Sequence, residues 1–121
     1  MSAHRLKPDR TITDKSGRKL CEVLGAADGY EEISVAWLMM PSGCKGVLER
    51  RDFTEVVIVL NGKARASIDG QSEEINAGHS VYVPAGALWR LENIGSEPLV
   101  CYAVAAPAFR PERSHAVDDR P

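Results

Sequence analysis

Five charged side chains fall within the seven positions Glu49-Arg50-Arg51-Asp52-Phe53-Thr54-Glu55, directly ahead of the apolar run Val56-Val57-Ile58-Val59-Leu60. Charged groups set against a buried strand cost free energy unless they are paired or used. In an extended chain, positions 49 and 51 project to one face, and 55 joins them if the chain between 51 and 55 bends. Arg51 then lies between two carboxylates. Its guanidinium carries five donors and a permanent positive charge. One Arg cannot neutralise both Glu49 and Glu55, so one carboxyl is left with a raised pKa and can act as an acid or base. The alternative is a satisfied ion-pair network without chemistry. Arg50 and Asp52 have the opposite parity and are expected to face solvent.

The elements that must position these groups are short strands. Lys19 to Leu24 reads as a strand, and Ile33 to Met40 as a longer one stopped at Pro41-Ser42-Gly43. Trp37, Met39 and Met40 read as core or cavity lining. Val56 to Leu60 is apolar on both faces, as a strand buried on both sides must be. Asn61-Gly62 then reads as a hairpin turn into Lys63 to Ile68, and Asp69-Gly70 as a second hairpin turn. Glu73 to Asn76, Ser80 to Val83, Trp89 to Glu92 and Leu99 to Ala105 follow, separated by Gly- and Pro-containing turns. Tyr82, on the strand leading to Pro84, either points a hydroxyl inward or lies on the surface. No segment carries a sustained helical period, so the expected class is all-β, a sandwich or barrel in a single domain. The expected organisation is an N-terminal arm over 1–15, a barrel over 16–106 and a tail over 107–121. Phe109 is the tail's one anchor, and the tail either crosses the barrel or stays mobile.

The 121 residues, 44% of them hydrophobic, suit one globular domain with a modest core. A formal net charge of −2 without a basic run argues against a nucleic-acid groove or an anionic membrane surface. Without a spanning apolar stretch or a signal-peptide pattern, the expected compartment is the cytoplasm. Cys21, Cys44 and Cys101 are odd in number and unpaired in spacing, which argues against a disulfide framework or a zinc knuckle. Cys44, beside the charged cluster, is the one thiol to test, with a structural role favoured.

Both halves of this pattern resemble the cupin superfamily, the RmlC-like jelly-roll β-barrels, over roughly 35–106. The family's first motif is a glycine, five residues, His-x-His, three or four residues, Glu, six residues and Gly. Gly43, Glu55 and Gly62 keep that frame, with Glu49 and Arg51 where the two histidines stand. The second motif is a glycine, five residues, Pro-x-Gly, two residues, His, three residues and Asn. Gly78, Pro84, Gly86 and Asn93 keep it, with Trp89 in the histidine place. The resemblance implies an all-β, cupin-type jelly-roll barrel whose metal motif is degenerate. Arg51 and Trp89 have no lone pair for a metal, so none is expected at this place; a weakly bound divalent metal on Glu49 and Glu55 is the alternative. His4, His79 and His115 stand at no ligand position. Trp89 either fills the space of the absent metal or forms a wall that stacks on a planar ligand.

Three functions follow. The first is a small-molecule-binding cupin without a transition metal, an isomerase, cyclase or lyase acting on a small polar or anionic metabolite. In it Glu49, Arg51 and Glu55 are catalytic, with Trp89, Met39, Val57 and Tyr82 around the ligand. The second is a metal-dependent dioxygenase or isomerase with a carboxylate-rich site. The third is a non-catalytic ligand-sensing or structural barrel, which a cavity plugged by the Glu49–Arg51–Glu55 network and Trp89 would favour. A homodimer is expected in each, from the apolar outer faces of 56–60 and 99–105 and from the family's habit of exchanging N-terminal strands.

Overall fold

In the computed structural model, which describes residues 2–118, eleven strands form two antiparallel sheets. The strands are β1 (Thr11–Thr13), β2 (Lys19–Leu24), β3 (Ser34–Met40), β4 (Glu49–Arg51), β5 (Thr54–Asn61), β6 (Lys63–Ile68), β7 (Gln71–Asn76), β8 (Ser80–Val83), β9 (Trp89–Asn93), β10 (Leu99–Ala106) and β11 (Ser114–Ala116). One sheet has the order β1-β2-β3-β10-β5-β8, the other β11-β4-β9-β6-β7. Beyond the strands the described residues form three short 3-10 turns, and none of their helices is long and apolar enough to cross a membrane.

The all-β expectation holds, and one turn behaves differently from its reading. Asp69 and Gly70 both take positive φ, 48° and 83°, and close a true hairpin in which β6 pairs with β7. Asn61-Gly62 closes none. β5 pairs with β10 and β8, while β6 pairs with β7 and β9, so this corner carries the chain from one sheet to the other. Gly62, at φ 97°, is pressed against Pro98 and Leu99, where an added Cβ would lie 3.0 Å from backbone atoms.

The segments before and after the barrel also enter its sheets. β1 pairs with β2, and two Arg10 guanidinium N–H groups donate to the carboxylate of Asp28 at 3.1 and 2.9 Å. β11 pairs with β4, setting Ser114 opposite Arg51 and Ala116 opposite Glu49. Phe109 packs edge-to-face on buried Phe53, with ring centroids 6.0 Å apart, and its N–H donates to Ser34 Oγ.

The barrel interior is unequal along its length. At one end Leu38, Met40, Val59, Leu91, Leu99 and Cys101 pack into a closed core. Burial pushes the Cys101 thiol up to about 12, so it is inert. Cys44 is also buried there, its Sγ donating to the Ser16 carbonyl at 3.2 Å. At the other end the same strands carry smaller or charged side chains. Ala105 sits opposite Ser34 and Glu55, and Ala103 opposite Ala36 and Val57. Side chains that small do not fill the space between two sheets.

Candidate functional site

The unfilled end is a cavity of about 390 Å³, the size of a small-molecule site. Its walls combine the small residues Ser34, Ala36, Ala103 and Ala105 with Leu38, Val57 and Trp89, and its charged floor is Glu49, Arg51 and Glu55. The three charged residues are 5%, 9% and 4% exposed, which places them in the interior. An open cavity lined by these residues counts against a fully plugged barrel.

Strand geometry explains the convergence. Glu49 and Arg51 point the same way on β4, with Arg50 outside between them. Asp52 and Phe53 form a bend, after which Glu55 enters from β5 in the opposite sheet. Arg51 bridges the two sheets: Nη2 donates to Glu49 Oε1 at 2.5 Å, and Nη1 donates to Glu55 Oε1. Its guanidinium lies over the Phe53 ring, 5.5 Å from the centroid.

Residues distant in sequence complete the cluster. Arg18 Nη1 donates to Glu49 Oε1 at 3.1 Å, and its Nε donates to Asp14 Oδ2 at 2.8 Å. Ser114 Oγ donates to Glu49 Oε2 at 3.1 Å. The two carboxylates thus differ. Glu49 is held by two guanidiniums and a hydroxyl, whereas Glu55, among the described residues, accepts only from Arg51. Burial, followed by the nearby Glu49 charge, pushes the Glu55 carboxyl above the usual glutamate range against the opposing pull of Arg51 and Arg18. Burial also acts on Arg18, but Glu49 and Asp14 more than offset it and keep this guanidinium charged.

The sequence reading located part of this wall. Glu49, Arg51, Glu55, Val57 and Trp89 come together around the cavity. Met39 and Tyr82 do not. Met39 has the opposite parity to Leu38 and Met40 and lies on the outer face of β3; Tyr82 is opposite outward-facing Val56 and is 64% exposed. Arg18, Asp14, Ser114 and the small residues of β3 and β10 were missed. Arg18 lies 31 positions before Glu49, and no spacing rule connects them. The histidines stay outside: His115 pairs with Asp52 at 2.8 Å on the surface, His4 bonds to Tyr30, and His79 sits in a turn with Asn76.

A family model described as "Cupin domain" matches residues 36–105. The chain is 36% identical over 118 residues to a protein named endoribonuclease YbeY from Myxococcus xanthus, covering 97% of this chain and 40% of that one. It therefore spans only about two-fifths of that relative's length. Among solved structures, a Cupin 2 conserved barrel domain protein from Salinispora arenicola superposes with TM-score 0.73 at 21% identity, over 88% of each chain. Pac13 of Streptomyces, described as a nucleoside dehydratase, superposes with TM-score 0.76 at 13% identity, over 96% of this chain and 92% of that one. At these identities the likeness is one of fold.

The cupin frame implies a divalent metal held by three histidines and a glutamate, and the residues here do not fit one. Arg51 occupies one histidine place and already bridges Glu49 and Glu55, and Trp89 occupies another. Neither side chain offers a lone pair. No group of three or more His, Cys, Asp or Glu suited to a metal occurs among the described residues.

Proposed function

The chain belongs to the cupin family, and from that premise we propose that its barrel binds a small polar metabolite and moves a proton on it, as an isomerase, cyclase or lyase. One observation carries the reading: Glu55, a carboxyl that burial pushes above the usual glutamate range, stands on the wall of an open cavity beside a fixed guanidinium. A carboxylate whose pKa is raised takes up a proton more readily than an ordinary glutamate, which suits it to act as a base. Arg51 stabilises the charge that develops when Glu55 or the ligand loses a proton, and Glu49 with Arg18 holds Arg51 in place. Trp89 and Val57 form the apolar wall. The dehydratase activity printed for the structural neighbour Pac13 is of the same broad type and supports the class, not the substrate.

The test is proton exchange. A mixture of small carbonyl metabolites in D2O is followed by NMR with the wild-type protein and with Glu55→Gln. Deuterium should enter a C–H position with the wild type and not with the variant. Equal exchange in both removes Glu55 from the chemistry.

A second reading concerns partners. The relative named an endoribonuclease aligns with nearly all of this chain, yet most of that relative lies outside the match. This favours a cupin barrel that works beside an endoribonuclease rather than cutting RNA itself, consistent with a net charge of −2. Pull-down with the unmatched part of the relative tests the association, and RNA cleavage by this chain alone would refute it. We further propose that the outer sheet face, where Trp37, Ile58 and Tyr102 lie side by side, pairs two copies of the chain. Sedimentation over a range of concentrations checks this, and a monomer throughout refutes it.

A further inference from the structure

The cavity carries information about the charge of its ligand. Each arginine on its wall is already committed: Arg10 to Asp28, Arg18 to Asp14 and Glu49, and Arg51 to Glu49 and Glu55. The wall holds three arginines against four carboxylates, so no cation is left over for an anionic ligand. A carboxylate or phosphate entering here would meet Glu49 and Glu55 in a desolvated space, where like charges repel strongly.

Two donors on the same wall are nevertheless idle. Arg51 Nε and Trp89 Nε1 are buried and have no hydrogen-bond partner among the described residues; the one orphaned acceptor on the same wall is Glu22 Oε1. Their side chains are 9% and 2% exposed and flank Glu49, which pairs with Trp89 across β4 and β9 and with Arg51 by ion pair. A buried N–H without an acceptor is costly; both nitrogens are closed off from the empty cavity, so an acceptor oxygen relieves that cost as the wall shifts to admit the ligand. Away from this charged floor the wall is apolar, formed by Leu38, Val57, Ala36, Ala103 and Ala105.

We propose that the ligand is an uncharged molecule with an apolar body and a carbonyl-type acceptor oxygen, received by Trp89 Nε1 and Arg51 Nε. This rests on the reading of the cavity as a binding site, and it narrows the substrate class from polar or anionic metabolites to neutral carbonyl compounds. A carbonyl oxygen held by these two donors would leave Glu55, on the same guanidinium, to exchange the proton.

Matched probes test it on the full chain near neutral pH. Ligand-observed NMR compares benzamide and cyclohexanone with benzoate and cyclohexanecarboxylate, each anion similar in shape to its neutral partner. At least one neutral probe should bind about tenfold or more tighter than its anion. Trp89→Phe, which keeps the ring and removes the N–H, should weaken that probe about fivefold. Trp37→Phe, on the outer face, should leave it unchanged. An anion that binds as tightly as its neutral match overturns this proposal alone, as does an unaltered affinity in Trp89→Phe. Binding of no probe, neutral or anionic, overturns the binding-site reading together with it.

Discussion

Four strands, β3, β5, β9 and β10, run through both halves of the barrel, and the two halves solve opposite problems. At the packed end Met40 faces Leu99 across β3 and β10, and Cys101 lies between Leu38 and Val59. One period further along β10, Cys101 gives way to Ala103 and Ala105, and the partners become Ala36, Ser34 and Glu55. Backbone pairing continues unbroken past this change. Ladder hydrogen bonds build the barrel, and side-chain volume alone decides which part of it is solid and which is hollow. The packed half supplies stability by burial. The hollow half costs stability, since it keeps buried charge and forgoes packing.

Substitutions can break this contrast. The largest effect is expected for Arg51→Met in the hollow half. It leaves Glu55 without its cation, and chemical denaturation near neutral pH should show a loss of about 3–5 kcal/mol. That loss should shrink in acid as Glu55 protonates; a constant loss across pH would show that the guanidinium acts by packing. In the packed half, Leu99→Ala should cost about 2–5 kcal/mol at any pH, because the side chain is fully buried and leaves a cavity behind. A pH-dependent loss there would blur the distinction between the halves.

The next effect is a slope. The folded protein holds the Glu55 proton more tightly than the unfolded chain does, so the folded state binds more protons at mildly acidic pH. The stability tied to that proton is fully present below the ordinary glutamate value of 4.5 and is lost as pH rises through the raised folded value. Glu55→Gln should flatten this fall in stability between acid and neutral pH, measured as the denaturation midpoint against pH. An unchanged slope would assign the proton elsewhere. The smallest effect on stability is expected for Ala103→Val. Added to a hollow wall, the two methyl groups should shift stability by less than about 1 kcal/mol. The same change should abolish binding of the neutral probes, which separates room for a ligand from stability of the fold.

How much of this was legible depended on whether the determining contacts were local. The hairpin at Asp69-Gly70 could be read because both residues must take positive φ, a demand written into the dipeptide itself. Asn61-Gly62 presents the same kind of dipeptide, but β5 and β6 find their partners in different sheets, so this corner crosses between them with Gly62 against Pro98 and Leu99. Glu49, Arg51 and Trp89 could be placed because a strand's period of two and the fixed intervals of the cupin frame locate them. The same parity rule sends Met39 outward, since it alternates with Leu38 and Met40.

By itself, then, the sequence determined an all-β barrel, the positions of its turns apart from one corner, and the address of a Glu–Arg–Glu cluster where the family places a metal. Alternation, turn chemistry and motif spacing are local properties, and they survive in one dimension. Only the tertiary structure decided that the cluster borders a cavity, that Arg18 and Ser114 fasten Glu49 while Glu55 has one donor among the described residues, and that the buried N–H groups of Arg51 Nε and Trp89 Nε1 lack an acceptor there. Burial, the balance of charges and the volume between the sheets are sums over residues far apart in the chain, and they exist only once the two sheets have closed on each other.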